Sequence, residues 1–175
     1  MAKIKIAKQH WGYIIPTLLL IAGGLFLFMK TGVTSSSFLS GGFKSHGYFS
    51  GGSGGKDLNI KSVRWHTHNG YERLVFDISQ WNGVLAQRAY KSTNETGLYE
   101  IGTELKNTTY IDGELSGYRS FTGNMPYFKK SKLLKNMQVF PNGDDSYLFR
   151  IALKNKASYK VFTLKKPARI IIDIK

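Results

Sequence analysis

The last seven residues, Arg169 to Lys175, read RIIIDIK and constrain this chain more than any other stretch. Side chains alternate along an extended strand, so Ile170, Ile172 and Ile174 fall on one face and Arg169, Ile171, Asp173 and Lys175 on the other. One face is thereby committed to burial. Pro167 has no N–H to donate to a sheet ladder and belongs ahead of this strand, which makes Tyr159 to Leu164 a partner strand joined through Lys165 and Lys166. The chain is expected to end inside its core.

The same form occurs upstream. Arg73, Leu74, Val75, Phe76 and Asp77 repeat the order of Arg169, Ile170, Ile171, Ile172 and Asp173: an arginine, three apolar residues, an aspartate. In both copies Arg, the middle apolar residue and Asp share a face, and the opposite face is wholly apolar. The plain explanation of the repeat is chance together with strand alternation.

Further strands are spaced evenly between these two. Leu58 to Trp65 has an apolar phase that slips between Ile60 and Val63, which a β-bulge would explain. His68, Asn69 and Gly70 signal a turn into Glu72 to Ser79, giving a hairpin. Leu98 to Leu105, with Tyr99, Ile101 and Leu105 inward, turns at Asn107 to Thr109 into Tyr110 to Leu115, with Ile111 and Leu115 inward. Ser116 to Lys132 lacks alternation and reads as a long surface loop. Met137 to Phe140 and Tyr147 to Leu153 flank the turn cluster Pro141 to Asp145. Seven or eight short strands, with no amphipathic helix after residue 57, predict an all-β fold, an antiparallel β-sandwich over residues 57–175.

Ahead of it lies a different kind of sequence. Trp11 to Met29 contains no charged residue, about the length a helix needs to cross a hydrocarbon core. Lys3, Lys5 and Lys8 precede it, a bias that keeps residues 1–10 in the cytoplasm and predicts a single transmembrane helix over 11–30 with the remainder outside. The competing reading is a signal peptide cleaved near Val33 and Ser35, which the length of the apolar run opposes. Residues 31–56 turn to Gly and Ser and are expected to be a flexible linker.

Charge is distributed unevenly. The chain has 175 residues, no cysteine and a formal net charge of +14. Disulfides and thiol chemistry are excluded. Residues 56–128 balance eight bases with eight acids, whereas residues 129–175 set twelve bases against Asp144, Asp145 and Asp173. A basic final third points to an anionic neighbour such as lipid headgroups or an acidic wall polymer, or to an ordinary solvated surface.

Tyr71-Glu72-Arg73-Leu74-Val75-Phe76-Asp77-Ile78-Ser79 and Pro167-Ala168-Arg169-Ile170-Ile171-Ile172-Asp173-Ile174, with Tyr147 to Leu153 between them, resemble the strands of the AMIN domain. That family is a two-sheet β-sandwich found beside bacterial cell-wall amidases and in secretins. The resemblance covers roughly Asp57 to Lys175. It implies non-catalytic binding to peptidoglycan at the outer face of the bacterial inner membrane, in the periplasm, with Arg73, Asp77, Arg169 and Asp173 as the positions carried over. Here Arg73 and Arg169 would donate to carboxylates, while Lys160, Lys165 and Lys166, with Lys154 and Lys156, add a positive field. The chain is expected to depart from the family's usual context, with a membrane anchor of its own and no amidase or secretin domain attached. A structural subunit of an envelope-spanning machine, docking protein partners through sheet edges or the Ser116 to Lys132 loop, is therefore the second reading.

Catalytic signals are missing. No nucleophile elbow, phosphate-cradling loop or zinc-protease helix motif occurs. His66 and His68 share a side of one strand, with Glu72 across the hairpin as the only nearby third ligand; a polar strand end explains them as well. Asp144 and Asp145 are turn formers without a calcium-loop pattern. No cofactor is expected, and a domain held outside the membrane argues against nucleic acid as partner.

Overall fold

The computed structural model describes residues 42–81 and 91–175. The apolar segment 11–30 and residues 31–41 of the expected linker lie outside them. No helix among the described residues is long and apolar enough to cross a membrane.

Two sheets form a sandwich. The first holds β1 (Gly47–Gly54), β5 (Gly97–Thr103), β6 (Tyr110–Ser116), β9 (Ser146–Leu153) and β8 (Leu134–Pro141), in that spatial order. The second runs β10 (Tyr159–Lys165), β11 (Ala168–Ile174), β3 (Tyr71–Gln80), β2 (Leu58–His68) and β7 (Tyr118–Phe121), with β4 (Lys91–Ser92) beside the far end of β3. Between the sheets, Phe76 and Phe149 meet with ring centroids 5.2 Å apart, and Ile60, Leu74, Ile101, Ile111, Ile151, Ile170 and Ile172 are fully buried. Gly113 makes room for this contact, since a Cβ there would come within 2.2 Å of the Phe149 ring.

Local sequence explains much of the register. The slipped apolar phase in β2 is a bulge between Ile60 and Ser62, which lets both Ile60 and Val63 face the core. Asn69 and Gly70 close the β2–β3 hairpin on the pair His68 and Tyr71; Gly70 adopts φ 83°, a conformation that favours glycine. Ile170, Ile172 and Ile174 of β11 are fully buried, as the alternation requires.

Four expectations are corrected. The linker assignment fails for Gly47–Gly54, which is an edge strand paired along β5, and Lys44 exchanges backbone hydrogen bonds of 2.8 Å with Tyr159. Glycine there permits close backbone approach: a Cβ on Gly52 would strike the Gly97 carbonyl at 1.9 Å. The supposed loop Ser116 to Lys132 contains β7 and the buried anchors Phe128 and Ser131. Because β7 pairs parallel to β2, the second sheet is mixed rather than purely antiparallel. Leu105 is 61 % exposed, since β5 stops at Thr103 and its alternation no longer applies.

The segment after β7 is held from inside. Glu72 faces inward on β3, where its carboxylate accepts hydrogen bonds from the Trp65 indole (2.9 Å), the Ser131 hydroxyl (2.5 Å) and the amides of Lys132 (2.6 Å) and Leu133 (3.2 Å). Burial alone would raise its pKa, but these donors hold it below the usual carboxylate range.

Candidate functional site: the outer face of the mixed sheet

The repeated Arg–apolar–Asp pattern acquires a geometric meaning in the pairing of β11 with β3. The strands run antiparallel with Ile171 opposite Val75, so each arginine lies opposite the other strand's aspartate: Arg73 against Asp173, and Arg169 against Asp77. A pattern with Arg and Asp four residues apart must pair this way when two copies meet antiparallel at their centres. The sequence repeat thus helps specify the register of the sheet.

The two reciprocal pairs are not equivalent. Arg73 binds Asp173 through two hydrogen bonds, Nε to Oδ1 at 2.6 Å and Nη2 to Oδ2 at 2.9 Å. Lys160 Nζ stands 3.5 Å from the same carboxylate, and Asp173 is only 1 % exposed although it lies on the outer face. The Arg73 guanidinium also lies over the rings of Tyr71 and Phe162, at 5.3 and 5.4 Å. Its hydrogen bonds to Asp173 raise its pKa further.

At the other end, Asp77 is claimed by a different arginine. Arg64 of β2 donates to both its oxygens, at 2.5 and 2.7 Å, and the Ser62 hydroxyl adds a third bond at 2.6 Å. Burial would raise the Asp77 pKa; the bonds from Arg64 and Ser62 and the charges of Arg64 and Arg169 hold it below its ordinary value. Arg169 approaches Asp77 with Nε 3.3 Å from Oδ1, but that nitrogen is buried and forms no aligned hydrogen bond. Its guanidinium is therefore the least engaged of the three. Lys165 and Lys166 stand exposed at the neighbouring β10–β11 turn, and Lys160 and Lys175 lie over the ring of Phe43, at 5.3 and 4.2 Å.

All seven site residues named from sequence thus belong to β3, β10, β11 or the turn joining the last two; Arg73 and Lys160 are committed to Asp173, whereas Arg169 is only loosely held by Asp77 and Lys165 and Lys166 are exposed. Arg64 was missed. Its signal was available, since counting back along the hairpin from the Asn69-Gly70 turn sets it opposite Val75 and diagonal to Asp77. The metal alternative is not assembled: His66 lies opposite Arg73 on the outer face, whereas Glu72 points inward, and no cluster of three metal-binding side chains exists among the described residues.

No curated protein and no solved structure matches the chain. A family model does: residues 58–175, well over half of the 175, match the AMIN-like domain. The all-β sandwich and the paired Arg–apolar–Asp strands therefore belong to a member of the AMIN-like domain family.

Proposed function

We propose that this protein is a non-enzymatic, membrane-anchored domain of the bacterial periplasm that binds peptidoglycan and positions an envelope complex beside it. Family membership supports wall binding, and the uncharged run from Trp11 to Met29 behind a lysine-rich start supports the anchor. The observation that carries the site is the incompletely engaged Arg169 beside exposed Lys165 and Lys166, on a face where Asp77 and Asp173 are already saturated. Carboxylates of wall stem peptides are the matching groups, because a planar guanidinium donates to a carboxylate in a forked geometry.

Pelleting the full chain, in detergent, with purified sacculi tests this reading. Retention at low salt and release at high salt are expected, with Arg169→Ala combined with Lys165→Gln and Lys166→Gln weakening retention by about tenfold. A chain that stays in the supernatant at low salt would refute wall binding.

A further inference from the structure

The outer face of the five-stranded sheet has the opposite character. A groove of about 490 Å³ crosses it, touched by residues of every strand from Tyr48 on β1 to Phe140 on β8. Phe140 and Leu148 are 50 % and 41 % exposed there, and Glu100, Glu104 and Glu114 border them. Asp112 is already neutralised by Arg150, whose Nε and Nη2 donate to it at 2.6 and 2.9 Å.

Glu100 and Glu114 are directly opposite one another across β5 and β6. Like charges in that relation destabilise a sheet, and no salt bridge to either forms among the described residues, although the chain has 25 lysines and arginines. Tyr48 feels the same field: burial first, then the charges of Glu104, Asp112 and Glu100, push its phenol pKa up. An acidic groove with large apolar side chains fits neither a wall carboxylate nor the small side chains of wall peptides.

We propose that this groove docks a short extended segment of a partner protein with basic side chains at one end, over β5 and β6, and large apolar ones at the other, over β9 and β8. Charge complementarity selects the basic residues, Phe140 and Leu148 take the apolar ones, and like-charge repulsion between Glu100 and Glu114 is relieved when a cation settles between them. Five strands at about 4.8 Å spacing make a groove about 19 Å long, the span of about six extended residues. The site is on the sheet opposite the proposed wall-binding face, so the two functions can fail separately.

The test uses the full chain in detergent and a fluorescein-labelled hexapeptide, Lys-Lys-Lys-Leu-Phe-Leu, read by anisotropy, with sacculus pelleting run in parallel. Saturable binding is expected, weakened about tenfold by E100Q with E114Q and severalfold by Leu148→Ser. The double Gln variant should melt no lower than the parent, because it removes a repulsion. Its sacculus retention should be unchanged. The proposal is overturned if the double variant binds the peptide like the parent, or if peptides with Glu for Lys, or Ser for Leu and Phe, bind equally well. Loss of sacculus retention in the double variant would overturn it in favour of the wall, and concentration-dependent self-association abolished by that variant would overturn it in favour of a second copy.

Discussion

Two carboxylates illustrate how differently single residues serve this domain. Asp173 is enclosed, so among the described residues removing Arg73 leaves a buried charge with only Lys160, 3.5 Å away, to offset it. Arg73→Ala is expected to cost about 3 kcal/mol in urea unfolding, whereas Arg169→Ala should cost about 1 kcal/mol or less, since Asp77 keeps Arg64 and Ser62. Glu72 ties β3 to the segment that follows β7 and titrates below its ordinary pKa, as does Asp77. A depressed carboxyl stabilises the fold at pH values above its unfolded pKa and loses that contribution as pH falls through the folded value. Urea midpoints should accordingly be level near neutrality and decline below about pH 4.5. Glu72→Gln should flatten part of that decline while lowering neutral stability by about 2 kcal/mol, because four donors lose a charged acceptor.

Among the elements, β1 has the least evident sequence and a definite structural task. Phe49 packs edge-on against Tyr159 with centroids 5.9 Å apart, and the Tyr159 hydroxyl donates to the Gly47 carbonyl (2.6 Å) while accepting from the Thr103 amide (3.0 Å). Both sheets are thus stitched at one point, and β1 covers the edge of β5. A fragment beginning at Lys56 should therefore melt lower than one beginning at Gly42 by several degrees or more, and its bare β5 edge should promote aggregation, measurable by thermal scanning with light scattering. The glycine-rich composition of β1 has no strand alternation to reveal it. Its pairing is made by close backbone approach to β5, which composition alone does not encode. β7 was hidden for a related reason: its Tyr118 and Ser120 are buried beneath neighbours distant in sequence, and a parallel partner cannot be read from a local turn.

At the scale of the whole molecule, the two outer sheet faces differ in charge and in what they offer. The mixed sheet bears arginines and lysines in excess of its two aspartates, and the five-stranded sheet bears glutamates around an apolar groove. Under the two proposed functions, one face would hold an anionic polymer and the other a cationic protein segment. If the uncharged run near the N-terminus anchors it, a reporter enzyme active only outside the cytoplasm should be active when fused after Lys175. A reporter active only inside the cytoplasm should be silent there, and the reverse pattern would refute the proposed orientation. The sequence by itself determined the hairpins, the bulge in β2 and the buried isoleucine face, because alternation and turn residues act between near neighbours. Tertiary structure alone decided that Asp77 belongs to Arg64, that Glu72 anchors the segment beyond β7, and that Gly47–Gly54 joins the sheet. Each of those outcomes depends on which distant groups compete for the same oxygen or the same open edge, and that competition exists only after the layers have come together.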